Sequence, residues 1–377
     1  MEQSRNNIIC AVTALTAAGF IMACSIAQTR SITGPASLQT LLRPLLYIAA
    51  GAVAMFLASR LDYHFLQRRG ALLYFAALIL LALVLVPGLG AWAKGARRWF
   101  RFGGLSFQPS EFAKIAAIAA IACFAAARGP RLTGLFTGFI PGLALAAVPA
   151  GLILLEPDFG SAILLATTCV LVLLAAGARP THAALFAAPA LAGLCFLVYR
   201  SPQRFGRIMA FLDPWSHYDG PGYQVIHSLI AIGSGGVLGR GPGASAQKLF
   251  YLPEPGADFV FAVIGEEFGL IGALAVIALF ALLVYEGMRV SSRAPDLFGS
   301  LLAFGLTTTI GLQAAINIAV VTASAPTKGI PLPFISAGGS SLVFTMTAVG
   351  LVLSVARQIK EPVLRPVERP QTGESAP

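Results

Sequence analysis

Apolar residues in this chain fall into long runs that are separated by short polar segments. A helix that crosses a membrane needs about 20 consecutive, mainly apolar residues. Runs of this kind predict ten membrane-spanning helices, with ends uncertain by about 2–4 residues. They cover residues 8–27, 44–59, 71–90, 111–127, 134–155, 159–178, 183–199, 259–285, 299–322 and 341–356.

Composition supports a membrane protein. The chain is 57% hydrophobic and 11% charged, with a mean hydropathy of +0.79, whereas soluble domains carry about 25% charged residues. We expect an all-α polytopic protein, because a helix satisfies its backbone polar groups internally in lipid. A single transmembrane domain is predicted over 1–357, with one long outer loop at 200–257. Residues 358–377, rich in Pro, Glu and Arg, are predicted to form a disordered cytoplasmic tail.

An even number of spans places both chain ends on the same side of the membrane. If that side is the cytoplasm, nearly every short inner loop carries an arginine, as the positive-inside rule requires. Most outer basic residues then lie in two segments, 91–110 and 200–257. The first segment contains Lys94, Arg97, Arg98 and Arg101. Two explanations for this short cluster stay open: an anionic ligand on the outer face, and contact with lipid headgroups.

Residues 247–269, QKLFYLPEPGADFVFAVIGEEFG, place three acids at and inside an apolar helix. Ionisable residues within a membrane span are costly and therefore indicate function. At about 100° per residue, Asp258 shares a helix face with small residues, while Glu267 points to the opposite side and Glu266 lies at a right angle. Asp258 is therefore the isolated acid at the outer mouth. We expect Glu266 and Glu267 to have buried partners such as Lys or Asn.

Two further segments have polar residues near the predicted outer face. Residues 95–114, GARRWFRFGGLSFQPSEFAK, predict a helix with Pro109 in its first turn, Glu111 at its positive end and Lys114 one turn further. Residues 326–341, PTKGIPLPFISAGGSS, predict a non-helical re-entrant turn that adds the cation Lys328. Non-helical backbone at this depth must be buried in protein or line a wet cavity.

The turn EPDFG at 156–160 and the outer loop offer weaker signals. Glu156 and Asp158 are candidate ligands for a divalent cation, although solvated turn residues are the favoured interpretation because Asp and Pro are common in turns. In the outer loop, 223–232 predicts a short amphipathic helix on the membrane. The glycine-rich run 233–243 predicts a strap whose amides could approach phosphates.

These motifs together resemble the SEDS family (shape, elongation, division and sporulation). The resemblance runs in order from about residue 10 to 357. It is carried by QPSEFAK, EPDFGSA, GYQVIHSLIAIGSGG, KLFYLPE, DFVFAVIGEEFG, KGIPLPFIS and GGSS. QKLFYLPE and PTKG are more similar to the division members than to the elongation members, and the sporulation members are close as well.

The resemblance implies a peptidoglycan glycosyltransferase with ten spans in the bacterial cytoplasmic membrane. Its substrate would be lipid II, a disaccharide-pentapeptide on undecaprenyl pyrophosphate, and its place the division septum. Its partners would be a class B penicillin-binding transpeptidase and other divisome proteins. An elongation polymerase is the alternative within the family. No organic cofactor and no nucleic-acid partner are expected.

The resemblance also implies roles for individual residues. The family's essential acid precedes FVFA and corresponds to Asp258, while Trp99 and Lys114 match positions that line an outer cavity. This chain has Gly256-Ala257 where the family commonly has His-Thr, and Ala337 where it commonly has Tyr. The candidate substrate-binding residues are Arg97, Arg98, Trp99, Gln108, Glu111, Lys114, Lys328 and Ser336.

A mechanism follows as a hypothesis. Asp258 would act as the base on the acceptor sugar, because inversion at the donor carbon requires a base on the acceptor side, and partial desolvation would raise its pKa. Lys114, Arg97, Arg98 and a bound Mg²⁺ or Mn²⁺ are candidates for stabilising the leaving pyrophosphate. A lipid II flippase and a scaffold for the transpeptidase remain as alternatives. The concentration of charge in the outer half favours catalysis.

Overall fold

The computed structural model of this protein describes residues 1–33, 38–93, 96–102, 105–252 and 255–359. The predicted disordered tail lies outside the described residues from 360 onward, as do Lys94 and Gly103-Gly104. The α-helices, in chain order from α1 to α13, are Glu2–Thr33, Leu38–Arg60, His64–Leu85, Pro109–Arg128, Ile140–Leu155, Phe159–Ala175, Pro180–Tyr199, Pro202–Leu212, Tyr223–Gly235, Gln247–Phe250, Val260–Arg293, Leu297–Val321 and Gly339–Gln358. Short 3-10 helices occupy Gly129–Thr133 and Trp215–His217, and a π-helical turn occupies Leu135–Phe139.

The predicted all-α membrane architecture is confirmed. Within the described part of the chain, nine helices are long and apolar enough to cross a membrane, and α6 is a shorter apolar helix of 17 residues. Each matches one of the ten predicted runs, although the number of spans stays a prediction. Several helices extend beyond their apolar run: α3 begins at His64 and α11 continues to Arg293. An apolar run marks the part of a helix that lipid covers, while backbone hydrogen bonding continues into the polar ends.

A small antiparallel sheet precedes α4, where no strand was predicted. It consists of β1 (Ala91–Ala93), β2 (Ala96–Phe102) and β3 (Leu105–Phe107) in the order β1-β2-β3. The sequence ARRWFRF does not show a clean alternation of apolar and polar residues, so its strand signal is weak. The sheet depends on pairing between segments, as where Phe100 lies opposite Phe107.

The centre of the helical bundle is formed by α4, α12 and α13, in which most residues are buried. Alanines at close intervals along α4 allow neighbouring helices to approach it closely. By contrast, α7 lies at the periphery and has no buried residue. The polar residues of α4 and α12 therefore lie where protein, rather than lipid, supplies their partners.

Met1 and the end of α13 lie at the same end of the bundle, as an even number of spans requires. Met1 Sδ lies 3.8 Å from an Nη atom of Arg293, and Gln358 donates a hydrogen bond of 2.9 Å to Asp62. The opposite end brings together the 156–160 turn and the non-helical segment 323–338, which we call the re-entrant segment. Assignment of the first end to the cytoplasm stays a prediction.

Helix α11 is broken at Gly269, where φ is 66° and ψ is −163°. The glycine-rich run fills the break: the amides of Arg240 and Gly241 donate to the carbonyls of Glu266 and Glu267, at 3.0 Å each. A Cβ at Gly269 would lie 2.4 Å from the amide nitrogen of Gly239, so the two backbones touch. The amides of Arg240 and Gly241 are therefore occupied, and the hypothesis that this run offers its amides to phosphates is wrong for these two.

Candidate active site

Asp258 lies in the turn immediately before α11 and is half-buried. Its backbone carbonyl accepts a hydrogen bond of 2.9 Å from the side-chain amide of Asn317 on α12. Its carboxylate lies against Gly329 in the re-entrant segment, because a Cβ on that glycine would be 3.0 Å from Oδ2 of Asp258. Three parts of the chain thus meet at this acid: the start of α11, one face of α12 and the re-entrant segment.

Two amide side chains on α12 hold the re-entrant segment in place. Asn317 also donates to the carbonyl of Ile330 at 2.7 Å, and Gln313, one turn earlier, donates to the carbonyl of Pro331 at 3.0 Å. Both side chains are buried. The prediction of a non-helical turn buried in protein is therefore confirmed, and the amides satisfy carbonyls that would otherwise lack donors.

Gly256 and Ala257, which stand in place of the usual His-Thr, are held by hydrogen bonds to their backbone carbonyls. The hydroxyl of Ser336 donates to the carbonyl of Ala257 and accepts from the amide of Leu332 at 2.8 Å. The amide of Ala337 donates to the carbonyl of Gly256 at 2.8 Å. Main-chain bonds thus orient the turn that carries Asp258. Ser336 has its hydroxyl engaged within the protein, and substrate binding by it stays a prediction.

The predicted pair of Glu111 and Lys114 is present and buried. Lys114 Nζ lies 2.9 Å from Glu111 Oε2 and donates to Gln313 Oε1 at 3.0 Å. Because Gln313 also holds Pro331, this ion pair is connected to the re-entrant segment beside Asp258. The charge of Lys114 is already balanced by Glu111, so Lys114 contributes little free positive charge to a leaving group.

Three further predicted binding residues lie at the start of α4 and in the sheet. Gln108 is buried at the start of α4 and makes no capping bond through its side chain. Trp99 lies on β2 opposite Ala91, and Arg97 stacks over Trp92 at 5.5 Å.

Lys328 precedes the glycine that contacts Asp258, and burial lowers the pKa of its ammonium group. The structure therefore places Lys328 near the acid, while Arg97 and Trp99 belong to the sheet.

Glu156 and Asp158 of the 156–160 turn are buried, so the favoured interpretation of solvated turn residues was wrong. Asp158 caps α6, with both carboxylate oxygens accepting from Ser161, at 3.1 Å from its amide and 2.8 Å from its hydroxyl. Glu156 is 0% exposed, and neither of its carboxyl oxygens has a hydrogen-bond partner among the described residues. Burial and the neighbouring charge of Asp158 raise the pKa of Glu156 to about 8, against the opposing effect of Arg98.

The side chain of Arg98 bonds to main-chain carbonyls of this turn rather than to a carboxylate. Its guanidinium donates to the carbonyl of Glu156 at 2.8 Å and to that of Pro157 at 2.7 Å. Both carboxylate oxygens of Asp158 are engaged by Ser161, while the buried carboxyl oxygens of Glu156 have no hydrogen-bond partner among the described residues. A bound cation stays a prediction.

Glu266 and Glu267 have partners of their own. Lys248 Nζ lies 2.6 Å from Glu267 Oε1, in a fully enclosed pair. Glu266 accepts hydrogen bonds from the loop 245–247 and from Arg240, the latter at 3.3 Å. The expectation of a buried partner is confirmed for Glu267, which pairs with the enclosed Lys248. Glu266 instead pairs with the exposed Arg240 and with the buried hydroxyl of Ser245.

Gln313 is the functional residue that the sequence analysis missed. Gln313 and Asn317 are four residues apart in an otherwise apolar helix, and so share one face. Two amides at that spacing in a membrane helix signal a polar partner. That spacing was readable from the sequence, but the partner was not, because the re-entrant carbonyls reach α12 only in the folded chain.

Comparison with known proteins identifies the family. Residues 5–361 match the model of the family described as "Cell cycle protein", which groups FtsW, RodA and SpoVE. The chain belongs to this family. The SEDS resemblance drawn from the motifs is confirmed.

Curated relatives match over most of their length. "Probable peptidoglycan glycosyltransferase FtsW" of Geobacter metallireducens is 43% identical over 315 residues, which is 84% of each chain. "Stage V sporulation protein E" of Bacillus subtilis is 42% identical, also over 315 residues, covering 84% of this chain and 86% of the relative. The division and sporulation branches are thus both close in sequence.

Solved structures share the fold. A chain from the structure entitled "Structural coordination of polymerization and crosslinking by a peptidoglycan synthase complex" superposes with a TM-score of 0.77 and 32% identity, covering 93% of this chain and 96% of that one. The rod shape determining protein RodA of Thermus thermophilus gives a TM-score of 0.70 and 29% identity, covering 94% and 97%.

Proposed function

We propose that this protein polymerises lipid II into glycan strands on the outer face of the cytoplasmic membrane during cell division. It is a peptidoglycan glycosyltransferase of the SEDS family and a multi-pass membrane protein. The observation that carries the polymerase proposal is the placement of Asp258. It is a half-buried acid whose backbone is fixed by Asn317 and whose carboxylate lies against Gly329.

In the proposed reaction Asp258 is the general base. Its carboxylate takes the proton from the 4-hydroxyl of the acceptor GlcNAc, whose oxygen attacks C1 of the donor MurNAc. The bond from C1 to the pyrophosphate oxygen breaks, and undecaprenyl pyrophosphate leaves with the electron pair. Attack from the face opposite the leaving group converts the α linkage into a β linkage, which requires base and leaving group on opposite faces of the sugar.

The surroundings support this role for Asp258. A base is effective when it is held in place before the substrate arrives, and the turn 256–258 is bonded to the re-entrant segment and to α12 at several points. The balanced pair of Glu111 and Lys114 would stiffen this arrangement through Gln313. Lys328 is the basic residue of the re-entrant segment and precedes Gly329, and we propose that it contacts the substrate.

We further propose a class B penicillin-binding transpeptidase as partner and the division septum as location. The structural relative is described as part of a complex that coordinates polymerisation with crosslinking. Relatives named FtsW support a division role. A polymerase and a crosslinking enzyme held together would join each new strand to the wall as it is made.

The test is polymerisation of lipid II by the purified full chain together with a class B partner, comparing the parent with Asp258→Asn. We expect Asp258→Asn to lose product formation while keeping its thermal unfolding temperature. Asp219→Asn, an exposed acid in the outer loop, is the matched control and should polymerise at the parent rate. Equal rates for Asp258→Asn and the parent would refute the base assignment. Lipid II flipping in vesicles that continues without any polymerisation would indicate a transporter instead.

A further inference from the structure

Two arginine side chains, Arg98 and Arg204, lie beside the 156–160 turn. Arg204, on the short helix α8, places its guanidinium 3.6 Å from the centre of the Phe159 ring. Arg98 reaches the same turn from β2 and bonds the carbonyls of Glu156 and Pro157. Two cations from distant parts of the chain therefore flank one turn.

The arginines of α8, Arg204 and Arg207, have no carboxylate partner within 4.0 Å among the described residues. Arg204 makes a single hydrogen bond, to the carbonyl of Leu197 at 3.2 Å. Partial burial, with the charge of Arg207 nearby, lowers the pKa of Arg204. Two guanidinium groups one helical turn apart on α8 attract an anion to this place.

The surroundings of this pair indicate a lipid-linked anion. Tyr199, Phe205, Leu212 and Trp215 are exposed near it, at the end of α7 and along α8. Aromatic residues of this kind lie at the headgroup level of a membrane. Helix α8 is strongly amphipathic, as an interfacial helix is. A ligand here would have its charge at the arginines and its hydrocarbon chain along α7.

The site is also connected to Asp258. Gly160 lies against Ile330, because a Cβ on this glycine would be 2.7 Å from Ile330 Cγ1. Ile330 follows Gly329, which contacts the Asp258 carboxylate. The turn that Arg98 and Arg204 contact is thus linked to the proposed base through Ile330 and Gly329.

We propose that Arg204 and Arg207, together with Arg98, bind the pyrophosphate of a polyprenyl-linked substrate. The assignment rests on the proposed function, in which donor and acceptor each carry a lipid pyrophosphate and each turnover needs two anion sites. Guanidinium groups suit this ligand, since their planar N–H pairs match phosphate oxygens. Lys114 cannot supply this charge, because Glu111 balances it.

The experiment measures binding of farnesyl pyrophosphate to the full chain in nanodiscs of zwitterionic lipid. Arg204→Gln/Arg207→Gln is compared with the parent and with Arg179→Gln, an exposed arginine at the opposite end of α7. We expect the double variant to lose affinity by about 10-fold or more, because it removes charge-assisted hydrogen bonds to the anion. Arg179→Gln should bind like the parent. Arg207→Gln alone tests the site without risk to folding, because Arg207 is exposed.

The same measurement in the Asp258→Asn background separates this proposal from the proposed function. Retained binding there, with the same loss on removing the arginines, supports the site whatever polymerisation does. Unchanged affinity in the double variant overturns the proposal, as does an equal loss in Arg179→Gln. If the double variant loses affinity only for vesicles containing phosphatidylglycerol, the occupant is an ordinary phospholipid and the assignment is wrong.

Discussion

The side-chain amide of Asn317 donates a hydrogen bond of 2.9 Å to the backbone carbonyl of Asp258. The same nitrogen donates to Ile330 at 2.7 Å, so one buried amide joins the candidate base to the re-entrant segment. This chain has glycine and alanine in the two positions before the acid. Asn317, with Ser336 and Ala337, therefore orients the turn through its main chain.

Asn317→Leu should reduce lipid II polymerisation by about 100-fold, because a shift of about 1 Å in a catalytic group has an effect of that size. The side chain is buried and acts through the position of Asp258, so the change should appear in kcat more than in KM. Thr347→Ala, on α13 with only a local backbone bond, is the control. A parent-like kcat in Asn317→Leu would show that the bond to Asp258 is dispensable.

Lys114→Met should destabilise the protein by about 3–5 kcal/mol, since it leaves Glu111 as an unpaired buried charge. Thermal unfolding in detergent measures the effect. The double variant Glu111→Gln/Lys114→Met removes both charges and should recover most of the lost stability. If the single and double variants unfold alike, the two side chains are not coupled in the way that their 2.9 Å separation indicates.

Glu156→Gln should stabilise the protein at alkaline pH. The pKa of Glu156 is raised to about 8 in the folded state and is about 4.3 in an unfolded chain. The folded protein therefore binds the proton more tightly, and stability falls as pH rises from about 4.3 to about 8. Glutamine is neutral throughout.

The difference in unfolding temperature between Glu156→Gln and the parent should thus grow from pH 5 to pH 8 and level off above it. Asp219→Asn, at an exposed position, should show no such trend. A difference that is constant over this range would mean that Glu156 is already ionised in the folded protein.

Gly269→Ala should destabilise α11 by at least about 1–2 kcal/mol, because an L-residue at positive φ is strained. The added Cβ would also clash with Gly239, at 2.4 Å from its amide nitrogen. Gly233→Ala is the matched control: Gly233 lies within α9, and a Cβ there meets nothing within 4 Å. Alanine should be neutral or slightly stabilising at that position. Equal unfolding temperatures for the two variants would contradict the close packing of the glycine run against the helix break.

Much of the architecture and the central acid were predictable from local sequence. The apolar runs predicted the helices, and helical phase separated Asp258 from Glu266 and Glu267, whose partners proved to be Arg240 and Lys248. The sheet at 91–107 was missed because its strands are short and depend on one another. The buried state of Glu156 was missed because EPDFG is indistinguishable from an exposed turn until its surroundings are known.

The sequence by itself determined the membrane class, the helices and the position of Asp258 at the start of an apolar helix, because hydropathy and helical phase are properties of neighbouring residues. Only the tertiary structure decided what surrounds that acid. Gln313 reaches Lys114 across 199 positions of chain, and Asn317 reaches Asp258 across 59. Arg204 meets Phe159 from another helix. Such contacts depend on how helices pack, and side chains far apart in sequence become partners only when the bundle buries them together.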